Sequence, residues 1–438
     1  MDENARRASL RYSVKEGVAW STSNALGPSC IAPYAIALKA NNFQIGLLTS
    51  VPTLVANLSE IRTPKLMEKA SRKRIVTVGD FIQALMLLPI ASVALIYPIV
   101  GPNSLIAPTI LIILYTIYLM LNSFTNPAWS SWMGDLVREK ERGRFFSRRN
   151  TITGVASILV MLAAGVFLNL LTAQRVLFGF STLFVLASIA LLISWYYFRK
   201  QYEPKFKYKD EFYFSFTGFL KRMKNNNFGR FTIYVSLMFF ALSLSSPFFA
   251  VYMLSHLNFS YLTFVSITLS YSIAVVISVR HWGRLSDRYG NLLVLRICGF
   301  LVPLTPILWL FSPNPIYLAG VQALAGVLWG GFNLAASNYI YDCVSQQRRG
   351  ICFAYSDALN GIGVFLGAIV GGLIATFVSV GFISIFLFLF LVSGLLRLAF
   401  SAAILPMLRE VRHVEAPKPV RYYLGGLSKR LPLHPHHG

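Results

Sequence analysis

Charge is what this chain has least of. Only 13% of its 438 residues are Asp, Glu, Lys or Arg, against roughly 25% in soluble domains. Acids are the scarcer sign, 17 against 40 Lys and Arg. There are four cysteines, Cys30, Cys298, Cys343 and Cys352. They show no metal-ligand spacing and no disulfide framework, and read as small packing residues. No Gly-x-x-x-x-Gly-Lys-Ser/Thr stretch is present, which argues against ATP-driven transport by this chain alone. No His/Cys/Asp constellation favours a membrane enzyme, so no catalytic residue, metal or cofactor is expected.

What is abundant is apolar length. Hydrophobic residues make up 55% of the chain, and its mean hydropathy is +0.58. Apolar runs reach the roughly 20 residues needed to cross a bilayer, far more than barrel strands need. Lipid offers backbone amides no partners, so the runs are predicted to be helices. Twelve spans are predicted: 14–38, 44–62, 75–99, 105–133, 150–171, 176–198, 229–254, 260–281, 291–311, 315–341, 351–376 and 380–404. The class is an all-α integral membrane protein. The polar, charged start through Lys15 has no signal-peptide pattern, so the first span is expected to be an uncleaved anchor.

The net charge of +23 would suggest nucleic acid if it lay on one soluble face. It lies instead in clusters between alternate spans, as membrane topology requires, and no nucleic acid is expected. Arg6, Arg7, Arg11 and Lys15 precede span 1. Arg62, Lys65, Lys69, Arg72, Lys73 and Arg74 follow span 2. Arg138, Lys140, Arg142, Arg144, Arg148 and Arg149 follow span 4. The opposite loops hold only Lys39 and Arg175. The basic side is predicted to be cytoplasmic, with both termini inside a plasma membrane whose anionic inner leaflet attracts these clusters.

The organisation expected is an N-terminal six-span half (1–198), a cytoplasmic linker (199–227), a C-terminal six-span half (228–407) and a disordered cytoplasmic tail (408–438). The linker carries Phe212-Tyr213-Phe214-Ser215-Phe216 and Lys221-Arg222-Met223-Lys224. It reads either as an amphipathic helix on the leaflet or as a solvated connection. The tail ends in His434, His436 and His437, and disordered chain explains them better than a metal site.

The halves are related. Asn126, Ala128, Ser130, Asp135, Arg142, Gly143, Phe146 and Gly154 recur 207 residues later as Asn333, Ala335, Ser337, Asp342, Arg349, Gly350, Phe353 and Gly361. The turn Gly283-Arg284-Leu285-Ser286-Asp287-Arg288-Tyr289-Gly290 has a weaker counterpart 219 residues earlier, in which Glu68 matches Asp287, Lys69 matches Arg288 and Ser71 matches Gly290. Such parallel repeats belong to transporters more than to enzymes.

These residues resemble the major facilitator superfamily. Its Gly-x-Leu-x-Asp-Arg-x-Gly motif is matched in full by Gly283, Leu285, Asp287, Arg288 and Gly290. The first-half copy departs from it, with Pro64 and Ser71 in place of the glycines. The resemblance implies two six-helix bundles rocking about a midplane site. It also implies a conformational latch at the cytoplasmic face. Asp287 would meet the start of span 5, where Arg148 and Arg149 lie, and Glu68 the start of span 11, where Arg348 and Arg349 lie, with Lys69 and Arg142 counted in the same latch. A carboxylate at a helix N-terminus is favoured by the helix dipole. The alternative is that these charges fix only loop register and topology.

By the same resemblance, spans 1, 4, 7 and 10 line the cavity. Polar groups at mid-depth there are cargo candidates, because a polar side chain in hydrocarbon needs an internal partner. They are Asn24, Tyr115, Asn122, Asn126, Ser245, Gln322, Trp329 and Asn333. Amides and aromatics without charge suggest a small, neutral or amphipathic organic solute. Arg397, the one deep cation, lies in peripheral span 12. Glu16, Asp80 and Asp357 are the candidates for proton coupling, although pairing with neighbouring Arg or Lys explains them as well. Span 5 lacks the drug-antiporter glycine pattern, and a near copy (Gly363, Gly367, Ala368, Gly371, Gly372) falls in span 11, where it implies close helix packing. The reading is a secondary or facilitative carrier, expected to be a monomer. The alternatives are a drug/proton antiporter or a non-transporting receptor on the same scaffold.

Overall fold

The computed structural model describes residues 3–101, 105–138, 141–172, 175–204, 218, 223, 226–344, 349–381 and 383–412. Most of the linker, and the tail beyond 412 with its histidines, lie outside the described residues. Among those described, every regular element is helical.

In the first half, α1 (Glu3–Leu26) gives way at Gly27 to a 3-10 turn, Pro28–Cys30, and resumes as α2 (Ile31–Ala37). There follow α3 (Asn42–Glu60), the short α4 (Thr63–Lys69), α5 (Arg72–Val100), α6 (Ile106–Leu136), α7 (Arg142–Asn169) and α8 (Val176–Lys200). The second half repeats the order. α9 (Asn227–Ser245) breaks before Pro247, continues as α10 (Phe248–Val251) and ends in a π-turn, Tyr252–His256. Then come α11 (Tyr261–Tyr289), α12 (Asn291–Leu301), α13 (Leu304–Leu308), α14 (Pro315–Cys343), α15 (Arg349–Phe377) and α16 (Ile385–Ile404). Proline has no N–H to give to a helix, so Pro28 and Pro247 break the first helix of each half at matching places.

Ten helical segments are long and apolar enough to cross a membrane, among the described residues, with α9 through the π-turn and α12–α13 each counted as one. The first two of the twelve predicted spans, α1–α2 and α3, fall short of that measure. The reason is where their polar side chains go. α1 buries Ser9, Ser13, Glu16, Ser21 and Ser23 inside the bundle, and α3 buries Gln44, Ser50 and Ser59. These groups lower the hydropathy without meeting lipid.

The repeat now has a structural role. Arg72 Nη1 donates to Asp135 Oδ2 at 2.6 Å, and its Nε lies 3.7 Å from Glu203. At the matching place in the second half, Asn291 Nδ2 donates to Asp342 Oδ2 at 2.6 Å, and the Leu292 amide donates to Glu410 Oε2 at 3.0 Å. Asp135 and Asp342 each tie the end of one helix to the start of α5 or α12. Gly290 makes the turn before α12 at φ +90°, a conformation that side chains with a Cβ rarely adopt.

The two halves meet along α3 and α15. Asn42 Nδ2 donates to the Ala375 carbonyl at one end and Asn57 Nδ2 to the Asp357 carbonyl at the other, each at 3.0 Å. Between them a Cβ on Gly46 would lie 2.6 Å from the Ala368 carbonyl oxygen. The other face of α15 packs on α9, with Gly363, Gly367 and Gly371 under the carbonyls of Ser236, Phe240 and Leu244. Gly367→Leu is expected to lower stability by about 1–3 kcal/mol or more, because backbone cannot yield as a side chain can. An unchanged melting midpoint in detergent would refute this contact.

At the end remote from the basic clusters the halves also touch through Phe180 and Tyr261, with ring centroids 5.6 Å apart, and through Gly165 against Val265. At the basic end Arg148 of α7 and Asp287 of α11 are both exposed. Outside the bilayer at that end, Glu3 is clasped by Arg6 (2.9 Å), Arg7 (3.2 Å) and Arg138 (2.8 Å). The hydrogen bond from Arg6, aided by Arg7 and Arg138, holds the Glu3 carboxyl down at about 2, from an ordinary 4.5. A depressed acid stabilises above its unfolded value, so this clasp contributes fully above pH 4.5 and is lost as pH falls toward 2.

Candidate functional site

The first half holds a buried charged cluster. Glu16, just past the middle of α1, is 2% exposed, and Asp80 on α5 is 3% exposed. Arg149 on α7 donates to both Glu16 oxygens, at 3.1 and 3.4 Å, and its Nε donates to the Ser13 carbonyl at 3.1 Å. The guanidinium lies 4.6 Å from the Trp129 ring centroid. Its path crosses Gly17, where a Cβ would come within 2.6 Å of Nη2. Among the described residues Asp80 has no such cation. Its Oδ2 accepts from the Ser194 hydroxyl at 2.9 Å.

These groups open onto one cavity of about 100 Å³, lined by Glu16, Trp20, Asp80, Thr125, Asn126, Trp129 and Arg149, among others. Two predicted cargo residues join it through an amide chain. Asn126 Nδ2 donates to Asn122 Oδ1 (2.9 Å), and Asn122 Nδ2 donates to Gln83 Oε1 (3.2 Å). Two carboxylates and one guanidinium leave an excess negative charge if all are ionised, and a buried net charge calls for a counter-ion or a proton. The wall can therefore hold a small cation or proton and hydrogen-bond a polar group. Among the described residues no group of three or more His, Cys, Asp or Glu is placed to hold a metal ion.

The second half lacks this charge at the same place. The spacing that carries Asp135 to Asp342 carries Arg149 to Ser356 and Ser194 to Ser401. The spacing that pairs Leu66 with Leu285 carries Asp80 to Gly299. Ser9 accepts from the Tyr202 amide as Asn227 accepts from the Arg409 amide, which puts Tyr234 opposite Glu16. There Ser401 donates to the Gly299 carbonyl (2.7 Å) and meets the Tyr234 hydroxyl (3.1 Å). The fold closes this position with neutral groups, so the charges in the first half are not a packing requirement.

The remaining predicted residues are dispersed. Tyr115 stacks on Tyr118 at 6.0 Å, Asn24 and Gln322 are half-buried, and Asn333 is exposed on α14. Ser245 and Trp329 converge on Arg397 rather than on the first-half cavity. Asp357 is half-buried beside the α3–α15 junction. Glu68 and Lys69 are exposed at the end of α4. Arg142 and Arg349 open α7 and α15, and their side chains, like residue 348 as a whole, lie outside the described residues. Arg149, an expected partner of Asp287, is turned inward to Glu16 instead, and Asp287 is exposed. Two expected pairings therefore differ from the structure: Asp287 has no ion pair to Arg149, and Asp80 is held by a hydroxyl rather than by Lys or Arg.

Sequence reasoning missed Gln83 and Ser194 as site residues, and placed Arg149 at the latch rather than in the cavity. Arg149 was hidden in a basic cluster that topology already explained. Placing each half on the other would have exposed it, since its counterpart is a serine.

The chain matches the family described as Major Facilitator Superfamily over residues 17–279 and 231–432. Among curated proteins, it is 28% identical over 113 residues to the MFS-type transporter ppz2 of Metarhizium majus (strain ARSEF 297), covering 25% of this chain and 19% of that protein. It is 31% identical over 91 residues to vacuolar basic amino acid transporter 1 of Saccharomyces cerevisiae, covering 21% and 16%. The chain thus spans less than a fifth of the length of either relative. Among solved structures, a mutant of the nucleoside transporter NupG superposes with a TM-score of 0.73 at 16% identity, over 92% of this chain and 100% of that one. A bacterial homologue of the iron transporter ferroportin in an inward-facing state gives 0.69 at 12% identity, over 92% and 99%. The xylose transporter XylE from E. coli in an inward-open conformation gives 0.68 at 10%, over 92% and 96%. At these identities the likeness is one of fold.

Proposed function

The chain belongs to the major facilitator superfamily, and on that premise we propose that it carries a small neutral or amphipathic organic solute across the membrane by alternating access. It is a multi-pass membrane transporter by family and by its apolar helices. The observation that carries the finer reading is the shape of the contact between the halves. They are packed together at the end remote from the basic clusters, through Phe180–Tyr261 and Gly165–Val265, while Arg148 of α7 and Asp287 of α11 are exposed at the basic end. A rigid-body rock about the α3–α15 seam would exchange which end is open.

With the basic end assigned to the cytoplasm, this conformation faces inward, with both termini inside and the basic clusters on an anionic leaflet. The plasma membrane is the site proposed. The yeast relative is named for a vacuole, which makes fractionation of a tagged chain the check on that assignment. Glu16 and Asp80 are proposed as the proton-coupling pair, with Asp357 a third candidate at the seam. Their cavity favours a proton-coupled carrier, the antiporter reading included, over a non-transporting receptor.

The test is a thermal-shift screen of metabolites and drugs on the purified protein, followed by proteoliposome uptake with and without a pH gradient. Saturable flux above protein-free liposomes is expected. Binding without flux would favour the receptor instead.

The motif from Gly283 to Gly290 is proposed as a latch used in the opposite state. When the basic ends meet, Asp287 would face the start of α7, with Glu68 and Lys69 facing the start of α15. Asp287→Asn is expected to reduce transport while leaving expression near wild type. Transport equal to wild type would remove the latch role from that residue.

A further inference from the structure

Arg397 stands near the middle of α16 and is 1% exposed. An ionisable side chain at that depth calls for a partner, and among the described residues no carboxylate pairs with it. Its Nη2 donates to the Ser245 hydroxyl at 3.2 Å, and its Nε has no hydrogen-bond partner. The guanidinium reaches inward from a peripheral helix to two inner ones. Ser245 is the last residue of α9, at the break before Pro247, and the Trp329 ring of α14 lies with its centroid 5.9 Å away. Trp329 in turn packs on Phe239 of α9, with centroids 6.2 Å apart.

The serines are already oriented for this charge. Ser245 Oγ donates to Ser393 Oγ at 2.9 Å, with the Leu242 carbonyl a second acceptor at 3.2 Å, and Ser393 donates to the Ala241 carbonyl at 2.5 Å. A lone pair of Ser245 is left facing the guanidinium. The matching residues of the first half are neutral: Ala190 stands for Arg397 and Asn122 for Trp329. The fold therefore does not need a cation here. Broken membrane helices also mark where carriers hold charged groups of their cargo.

We infer that Arg397 and Ser245 form an anion subsite at the break in α9–α10, which takes the carboxylate of an amphipathic organic acid. The inference rests on the transporter reading above and narrows its cargo. A planar guanidinium matches a carboxylate with two parallel N–H donors. A single arginine balances one negative charge. Trp329 and Phe239 beside it offer aromatic surface to the apolar body of the same molecule. Ser245 is fully buried and Trp329 nearly so, so the subsite is occluded in this conformation, and movement at the Ser246–Pro247 break would open it.

The experiment compares carboxylates with their neutral amides on the full-length protein in detergent. The probes are acetate, benzoate and succinate against acetamide, benzamide and succinamide, read by thermal shift. At least one carboxylate is expected to raise the apparent Tm by about 2 °C or more where its amide does not. The shift should vanish in Arg397→Gln and persist in part in Arg397→Lys. Equal shifts from acid and amide, no carboxylate shift in wild type, or an undiminished shift in Arg397→Gln would each overturn the subsite. Should Arg397→Gln fail to fold, Ser245→Ala keeps the charge and is expected to weaken the carboxylate shift; an unchanged shift there counts against the proposal. Proteoliposome flux separates the two readings. Flux without a carboxylate effect removes only the subsite, and absence of any flux removes the transporter reading.

Discussion

Replacing Arg149 with alanine is expected to destabilise the protein by about 3–5 kcal/mol, the range for removing one partner of a buried ion pair. The reason is what remains. Glu16, 2% exposed in the bundle, would lose both hydrogen bonds to the guanidinium, and Asp80 would still line the same cavity. Two carboxylates would then share a low-dielectric space with no cation. The size of the effect comes from this uncompensated charge rather than from the pair itself. Removing both partners, as Glu16→Gln with Arg149→Met, should therefore recover most of the loss. Denaturant titration of each variant in one detergent reads the difference. A double variant as unstable as Arg149→Ala would show that the arginine acts through packing, against Trp129 and over Gly17, and not through charge.

The largest functional effect is expected at Asp80. Asp80→Asn keeps the shape and can still accept from Ser194, but it cannot take up a proton. If one proton moves with each cargo molecule, a gradient of one pH unit can drive accumulation to about tenfold, the ratio that corresponds to 1.4 kcal/mol. The Asn variant is expected to let cargo equilibrate but not accumulate, so that its final ratio stays near one whatever gradient is imposed. Exchange of labelled for unlabelled cargo should continue. Accumulation by Asp80→Asn matching wild type would exclude this carboxylate from coupling and direct attention to Glu16 and Asp357.

These two predictions and the Arg397 subsite share one source. A protein built from two copies of one bundle supplies its own control, because each position has a counterpart under nearly the same packing constraints. Where the copies agree, as at Asp135 and Asp342, the residue serves the fold. Where they differ in charge, as at Glu16 against Tyr234, Asp80 against Gly299, or Arg397 against Ala190, the fold has shown that it can do without the charge. The first half keeps two acids with one cation between them, Arg149 against Ser356, and the second half keeps a cation with no acid beside it among the described residues. That asymmetry suits a carrier whose two halves hold different parts of what moves.

The sequence by itself determined the fold class, the family and the internal duplication. Each rests on a signal that survives without contacts. Apolar length follows from bilayer thickness, basic clusters follow the topology of insertion, and a repeat at fixed spacing is visible letter by letter. Gly290 was legible for the same local reason, since a turn at positive φ needs a residue without a Cβ. Tertiary structure alone decided which charges are partners. Arg149 sat among basic residues that topology explained, and only helix packing turned it inward to Glu16 while its neighbour Arg148 stayed at the surface. Arg397 lay on a helix counted as peripheral, and only the length of its side chain brought the guanidinium to Ser245 and Trp329. Sequence spacing fixes depth along a helix, but not the direction in which a long side chain crosses to the next one.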